Sequence, residues 1–101
     1  MRTIQLGQSK LRVSRLIYGS EPFNLKKGPD GDRNQGDKTP EQAAEILKEA
    51  LELGVNVWDT RDDYGTHPHL REALNIVKRS DVFIADKSNA LTEKDGWAAL
   101  E

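Results

Sequence analysis

The chain has 101 residues, a formal net charge of -2 from 15 basic and 17 acidic side chains, and no cysteine. That length suits one domain, the near-balance of charge removes the electrostatic motive for holding nucleic acid or an anionic membrane, and neither a disulfide framework nor a thiolate metal site is possible. No basic-then-apolar leader opens the sequence and no apolar run approaches the ~18 residues that span a bilayer, so a cytoplasmic protein is expected.

Arg2 to Leu6 alternates weakly, with Ile4 and Leu6 set against Thr3 and Gln5. Gly7-Gln8-Ser9-Lys10 is a hairpin connection. The return through Leu11 and Val13, then Leu16-Ile17-Tyr18 to Gly19, predicts a hairpin followed by a short buried strand. Residues 24–38 are almost wholly polar, with glycines at 28, 31 and 36 and Pro29, and read as a long, mobile loop.

A helix is expected from Thr39, which can cap, with Pro40 at the first position and Gln42 at capping-box spacing. Ala43, Ile46, Leu47, Ala50 and Leu51 make one apolar face, and Gly54 stops the helix. Val55-Asn56-Val57-Trp58 follows as a strand. A second helix begins near Thr66-His67-Pro68, with Leu70, Ala73, Leu74 and Val77 on one face. Val82-Phe83-Ile84-Ala85 then reads as a strand buried on both sides, and a third helix opens at Thr92 with Asp95 three residues on. Strands alternating with single amphipathic helices predict an α/β fold of three βα units on a parallel sheet. The third helix has no stop signal before Glu101, which reads as a domain continuing beyond that residue.

Three polar groups lie where strands should end: Asp59 after the second strand, Tyr64 in the loop that follows, and Lys87 after the third. Taken singly, an Asp-Thr pair reads as a cap, a loop Tyr as packing and a strand-end Lys as solvated. In a parallel β/α fold the carboxyl ends of strands share one face, so their joint placement favours a common site. Asp62, Asp63, His67 and His69 offer metal donors, but His67 and His69 are two apart at a helix start and do not share a face. No metal site is expected.

LGQSKLRVSRLIYG at 6–19, LELGVNVWDTRDDYG at 51–65 and VFIADKSN at 82–89 occur in the order and spacing of the aldo-keto reductase family, which the chain resembles everywhere except at 24–38. The resemblance implies a parallel (β/α)8 TIM barrel, with residues 1–101 holding its N-terminal hairpin and about three βα units and 24–38 a flexible insertion. It implies an oxidoreductase that reduces aldehydes or ketones with hydride from NADPH, or from NADH. Tyr64 would be the acid that protonates the carbonyl oxygen. A phenol ionises near pH 10 in water, so it needs a neighbour that favours the phenolate; Lys87 would supply this, with Asp59 fixing the lysine. Gly19, Ser20 and Asp59 would border the cofactor. A fourth member, a histidine after a fourth strand, would lie beyond Glu101, since His67 and His69 come too early. Two residues depart from the family pattern: Asp86 where Thr or Ser is usual, and Arg61 where a small residue is common. The implied partners are a small carbonyl substrate and the remainder of the barrel, without which the segment is expected to be inactive and to hold NADPH weakly. The alternative is a non-catalytic barrel, or a part of one, acting as an interaction subunit.

Overall fold

The structure is a computed structural model that describes residues 2–24 and 38–100. β1 (Thr3–Gln5) and β2 (Arg12–Ser14) form an antiparallel hairpin, with Ile4 opposite Val13. Gly7 sits at φ 54°, a left-handed turn conformation that a glycine enters without penalty. β3 (Tyr18–Gly19), β4 (Val57–Asp59) and β5 (Phe83–Ala85) make a second, all-parallel sheet in chain order. Each is followed by a helix: α1 (Pro40–Glu52), α2 (His67–Ala73) and α3 (Glu93–Leu100). The three βα units and the parallel pairing agree with the periodicity of the sequence.

The first helix begins as its sequence predicts. Gln42 donates its backbone N–H to the Thr39 hydroxyl (3.1 Å), and the Gln42 side-chain oxygen accepts the Thr39 N–H (3.0 Å). At the other end Gly54 adopts φ 95°, and its N–H reaches the Leu51 carbonyl (2.9 Å). Ala43, Ala44, Leu47 and Ala50 are the buried face. They join Phe23, Trp58, Leu70, Ala73 and Val82 in the core between the helices and the sheet. Trp58 is fully buried, and its indole N–H has no partner among the described residues. That omission costs about 1–3 kcal/mol. Burying a ring of about 150–250 Å² at about 25 cal/mol per Å² returns roughly 4–6 kcal/mol, so the apolar gain decides the position.

Because side chains alternate along a strand, Trp58 facing the helices puts Val57 and Asp59 on the opposite face. By the same phase Phe83 and Ala85 share that face, while Val82 and Ile84 pack with the core. The hairpin lies against the amino-terminal part of this second face. Leu6, Leu11, Val13 and Ile17 enclose a space of about 350 Å³ with Val57 and Phe83. Asn56 ties the two parts together: its side-chain oxygen accepts the Ser14 N–H (2.8 Å), its side-chain amide donates to the Arg12 carbonyl (3.2 Å), and its own N–H donates to the Ser14 hydroxyl (3.1 Å).

Two expectations need correcting. Leu16 and Ile17 are each 59% exposed, not part of a buried strand. Phe83 and Ile84 are only half-buried and Ala85 is exposed, so β5 is not covered on both sides. The hairpin covers only part of the face that carries Ile17, Phe83 and Ala85, and Ile84 lies on β5, an edge strand of the sheet. Of the segment 24–38, expected to be a mobile loop, 25–37 lie outside the described residues. Its two ends are firmly placed. Lys38 donates its N–H to the Phe23 carbonyl (2.8 Å), and His69 Nε2 donates to the Lys38 carbonyl (2.8 Å) with its ring stacked on Phe23.

Candidate active site

The ends of the three parallel strands are level. Gly19, Asp59 and Ala85 are register partners, and the ladder runs past them: the Ser20 N–H donates to the Asp59 carbonyl (2.9 Å), the Thr60 N–H to Ala85 (2.8 Å) and the Asp62 N–H to Lys87 (3.0 Å). Lys87, two residues beyond Ala85, has the phase that places Asp59 on the face away from the helices. The two meet: Lys87 Nζ lies 2.7 Å from Asp59 Oδ1. Both side chains are more than a third exposed or close to it, at 41% and 34%, so the pair contributes at most about 1 kcal/mol to stability. Its consequence is geometric. The ammonium is held 5.7 Å from the centre of the Tyr64 ring, within reach of the ring's field. Asp59, Tyr64 and Lys87 are therefore brought together at one sheet end, as their strand-end positions predict.

Tyr64 stands in the tight turn between β4 and α2. Its N–H donates to the Arg61 carbonyl (3.2 Å), and its carbonyl accepts from the Asn24 side-chain amide (3.0 Å). Gly65 follows at φ 71°, where a Cβ would meet the Asn24 side-chain amide. Glycine suits the position on conformational grounds, and a Cβ would push the Asn24 amide off the Tyr64 carbonyl.

Gly19 and Ser20 diverge. Gly19 is exposed beside Asp59, and a Cβ on it would meet nothing within 4 Å. Ser20 is fully buried and its hydroxyl bonds to Thr66 (2.8 Å), so it presents no side-chain group to the open face. Of this pair only Gly19 lies on the open side, next to Asp59.

Asp86 stands beside Lys87 without drawing the ammonium away. Its Oδ1 accepts the Lys87 backbone N–H (2.8 Å) and its Oδ2 pairs with His67 (3.1 Å). Arg61 points along the rim, where its guanidinium donates to the Asn89 side-chain oxygen and lies 3.5 Å from Asp63. The Asn89 amide donates to Asp63 (2.7 Å). Asp86 thus links the segment after β5 to the start of α2, and Arg61 links that segment to the β4–α2 loop. An open cleft of about 370 Å³ adjoins Lys87, lined by Asp62, His67, Asp86, Ser88, Glu93 and Trp97; neither Asp59 nor Tyr64 borders it. His67 and His69 go separate ways, one to Asp86 and the other into the core. Among the described residues no group of three His, Cys, Asp or Glu could hold a metal ion, and no helix is long and apolar enough to cross a membrane.

Asn24, Thr60 and Thr66 shape the site and were not among the residues expected there. In sequence, Asn24 opens the polar segment and Thr66 marks only a helix start. Their partners lie up to 46 positions away in sequence, which no local pattern reports.

A family model described as the aldo/keto reductase family matches residues 15–99. The aldo-keto reductase dtxS3 of Metarhizium robertsii is 41% identical over 61 residues, which are 60% of this chain and 15% of that protein. Among solved structures, PA4992 of Pseudomonas aeruginosa, assigned as an aldo-keto reductase, superposes with a TM-score of 0.63 at 28% identity, covering 83% of this chain and 30% of that one. The aldo-keto reductase AKR11C1 of Bacillus halodurans, in its holo form, gives a TM-score of 0.62 at 31% identity, covering 93% and 28%. The chain spans less than a third of the length of each.

Proposed function

This chain belongs to the aldo/keto reductase family, and we propose that it carries the proton-donating part of a carbonyl reductase site. The family is one of oxidoreductases. The observation that carries the reading is Lys87, held at 2.7 Å by Asp59 and at 5.7 Å from the Tyr64 ring, at the carboxyl end of a parallel sheet. In a (β/α)8 barrel that end is where the reacting groups collect. We take β3, β4 and β5 as the first three barrel strands, the face bearing Val57 and Asp59 as the barrel interior, and the hairpin as its lower closure.

In this reading Tyr64 donates a proton to the oxygen of an aldehyde or ketone. Negative charge grows on the phenol oxygen as the proton leaves, and the Lys87 ammonium, 5.7 Å from the ring centre, stabilises that charge. Asp59 holds the lysine in place by pairing with its ammonium. NADPH, or NADH, supplies the hydride to the carbonyl carbon when bound. The residues present fit such a group: Gly19 leaves open space where any other residue would project a side chain, and Asp59 next to it engages Lys87 through Oδ1, leaving Oδ2 for a ribose hydroxyl. The binding of the rest of the dinucleotide, the substrate and any further catalytic group belong to the whole protein.

The test uses the complete natural polypeptide, an aldehyde panel and NADPH. Tyr64→Phe removes the proton donor while keeping the ring, and a positioned acid is worth about 10²–10⁴-fold in rate. We expect kcat to fall by that order while NADPH binding, followed by fluorescence, is retained. Full activity in Tyr64→Phe would refute the assignment. Absence of carbonyl reduction by the wild-type protein would favour the non-catalytic alternative.

A further inference from the structure

Behind the half-buried Asp59 and Tyr64 and the exposed Lys87 lies a second layer of polar groups that solvent does not reach. Ser20, Thr60 and Thr66 are 0, 1 and 0% exposed. The Thr66 hydroxyl stands between the other two, 2.8 Å from Ser20 Oγ and 3.0 Å from Thr60 Oγ1. A threonine hydroxyl has one proton to donate and can accept as well, so Thr66 is the hub that joins the end of β3 to the end of β4.

Thr66 is also the residue before α2, where a threonine ordinarily turns its hydroxyl onto the first backbone N–H groups of the helix. Here it makes no such cap. Its backbone carbonyl still accepts from His69 (3.0 Å) and Leu70 (3.1 Å), so the helix starts, but the side chain is turned into the sheet. Tyr64 lies two residues earlier, joined through Gly65 at φ 71°. The Tyr64 turn therefore has two anchors, Asn24 on its carbonyl and the Thr66 hub where it returns to the sheet. Neither touches the phenol.

We propose that Thr66 is a positioning residue for Tyr64: its buried hydroxyl, shared with Ser20 and Thr60, sets where the Tyr64 turn meets the strand ends and so holds the ring against Lys87. The inference rests on Tyr64 being the proton donor. It excludes a helix-capping role for the hydroxyl and makes the hydroxyl, not the methyl, the functional group. A buried polar network of this kind is rigid when every member is satisfied and loosens when one is removed.

The test compares Thr66→Val, which keeps the shape and removes the hydroxyl, with Thr66→Ser, which keeps the hydroxyl, in the complete natural polypeptide. A misplacement near 1 Å costs up to about 10²-fold in rate. Thr66→Val should therefore lower kcat roughly tenfold to a hundredfold, leaving the aldehyde KM and the NADPH Kd within about twofold, while Thr66→Ser restores kcat to near wild type. A folded Thr66→Val protein with unchanged kcat overturns the proposal, as does a Thr66→Ser protein as slow as Thr66→Val. If Thr66→Val does not fold, Ser20→Ala removes a single arm of the hub; a smaller fall in kcat at constant KM supports the proposal and an unchanged kcat overturns it. Tyr64→Phe, measured alongside, separates the two readings. Full activity there refutes the proton-donor assignment itself, whereas an inactive Tyr64→Phe with an unaffected Thr66→Val refutes only the role of Thr66.

Discussion

Asp62 is the group whose ionisation the site alters most visibly. Its carboxyl is held below the ordinary carboxylate range, first by the Ser88 hydroxyl and then by the backbone N–H groups of Asn89 and Asp63 and by Arg61, against partial desolvation that raises it. One of these contacts is direct, the Asn89 N–H at 3.3 Å from Asp62 Oδ2. A carboxyl whose pKa is lower folded than unfolded stabilises the folded state at pH above its unfolded value, and that contribution disappears as pH falls through the lowered one. The clasp between the β4–α2 loop and the segment after β5 should therefore hold at neutral pH and open only in acid. An NMR titration of the Asp62 side chain should give a midpoint below 3.8, the unperturbed value. A midpoint at or above it would mean that the Ser88 and Asn89 donors do not favour the ionised form. Asp86 illustrates the same scale differently. Although it stands next to Lys87, it accepts the Lys87 backbone N–H and pairs with His67, and the lysine ammonium stays with Asp59.

At the scale of elements, α1 is delimited by side-chain chemistry at both ends. The reciprocal bonds between Thr39 and Gln42 satisfy two donors that the helix itself cannot. Thr39→Ala should lower stability by about 1 kcal/mol. Gly54→Ala forces a side chain into the left-handed region and should cost about 1–2 kcal/mol. Urea unfolding of the complete natural polypeptide would register both as a lower midpoint with an unchanged slope. No shift for Gly54→Ala would mean that the helix end rearranges at no cost, contrary to the termination argued for it. β4 shows a different kind of delimitation. Its amino end is tied to the hairpin through Asn56 and its carboxyl end to β3 and β5 through backbone bonds beyond the strands, so Asp59 sits on an element gripped at both ends.

Among the described residues, burial is greater on one side of the parallel sheet than on the other. α1 and α2 cover one face of the parallel sheet, while Leu6, Leu11, Leu16 and Ile17 around the other face are between 42% and 59% exposed. Apolar surface and strand edges of this kind promote association. The polypeptide 1–101, prepared by itself, should self-associate in sedimentation velocity and should neither reduce aldehydes nor bind NADPH tightly. A monodisperse monomer with measurable reduction would show that three βα units suffice for the site.

Much of this architecture was legible in the order of residues. Thr39, Pro40 and Gln42 announce one helix start, Gly54 its end, and apolar residues recurring every three or four positions mark the buried faces, because capping and amphipathicity act over a single turn. The parallel sheet followed from strands alternating with helices, and the gathering of Asp59, Tyr64 and Lys87 followed from their places at strand ends. Tertiary structure alone decided which polar groups face the open side. Ser20 turns inward because Thr66 offers its hydroxyl a partner, Asn24 leaves the polar loop to hold Tyr64, and Asp86 is drawn off by His67. It also decided that Ile17 and Ala85 stay exposed, since burial on a sheet face depends on what lies across it. These outcomes depend on partners brought close by folding, up to 46 positions away, and local periodicity carries no record of such partners.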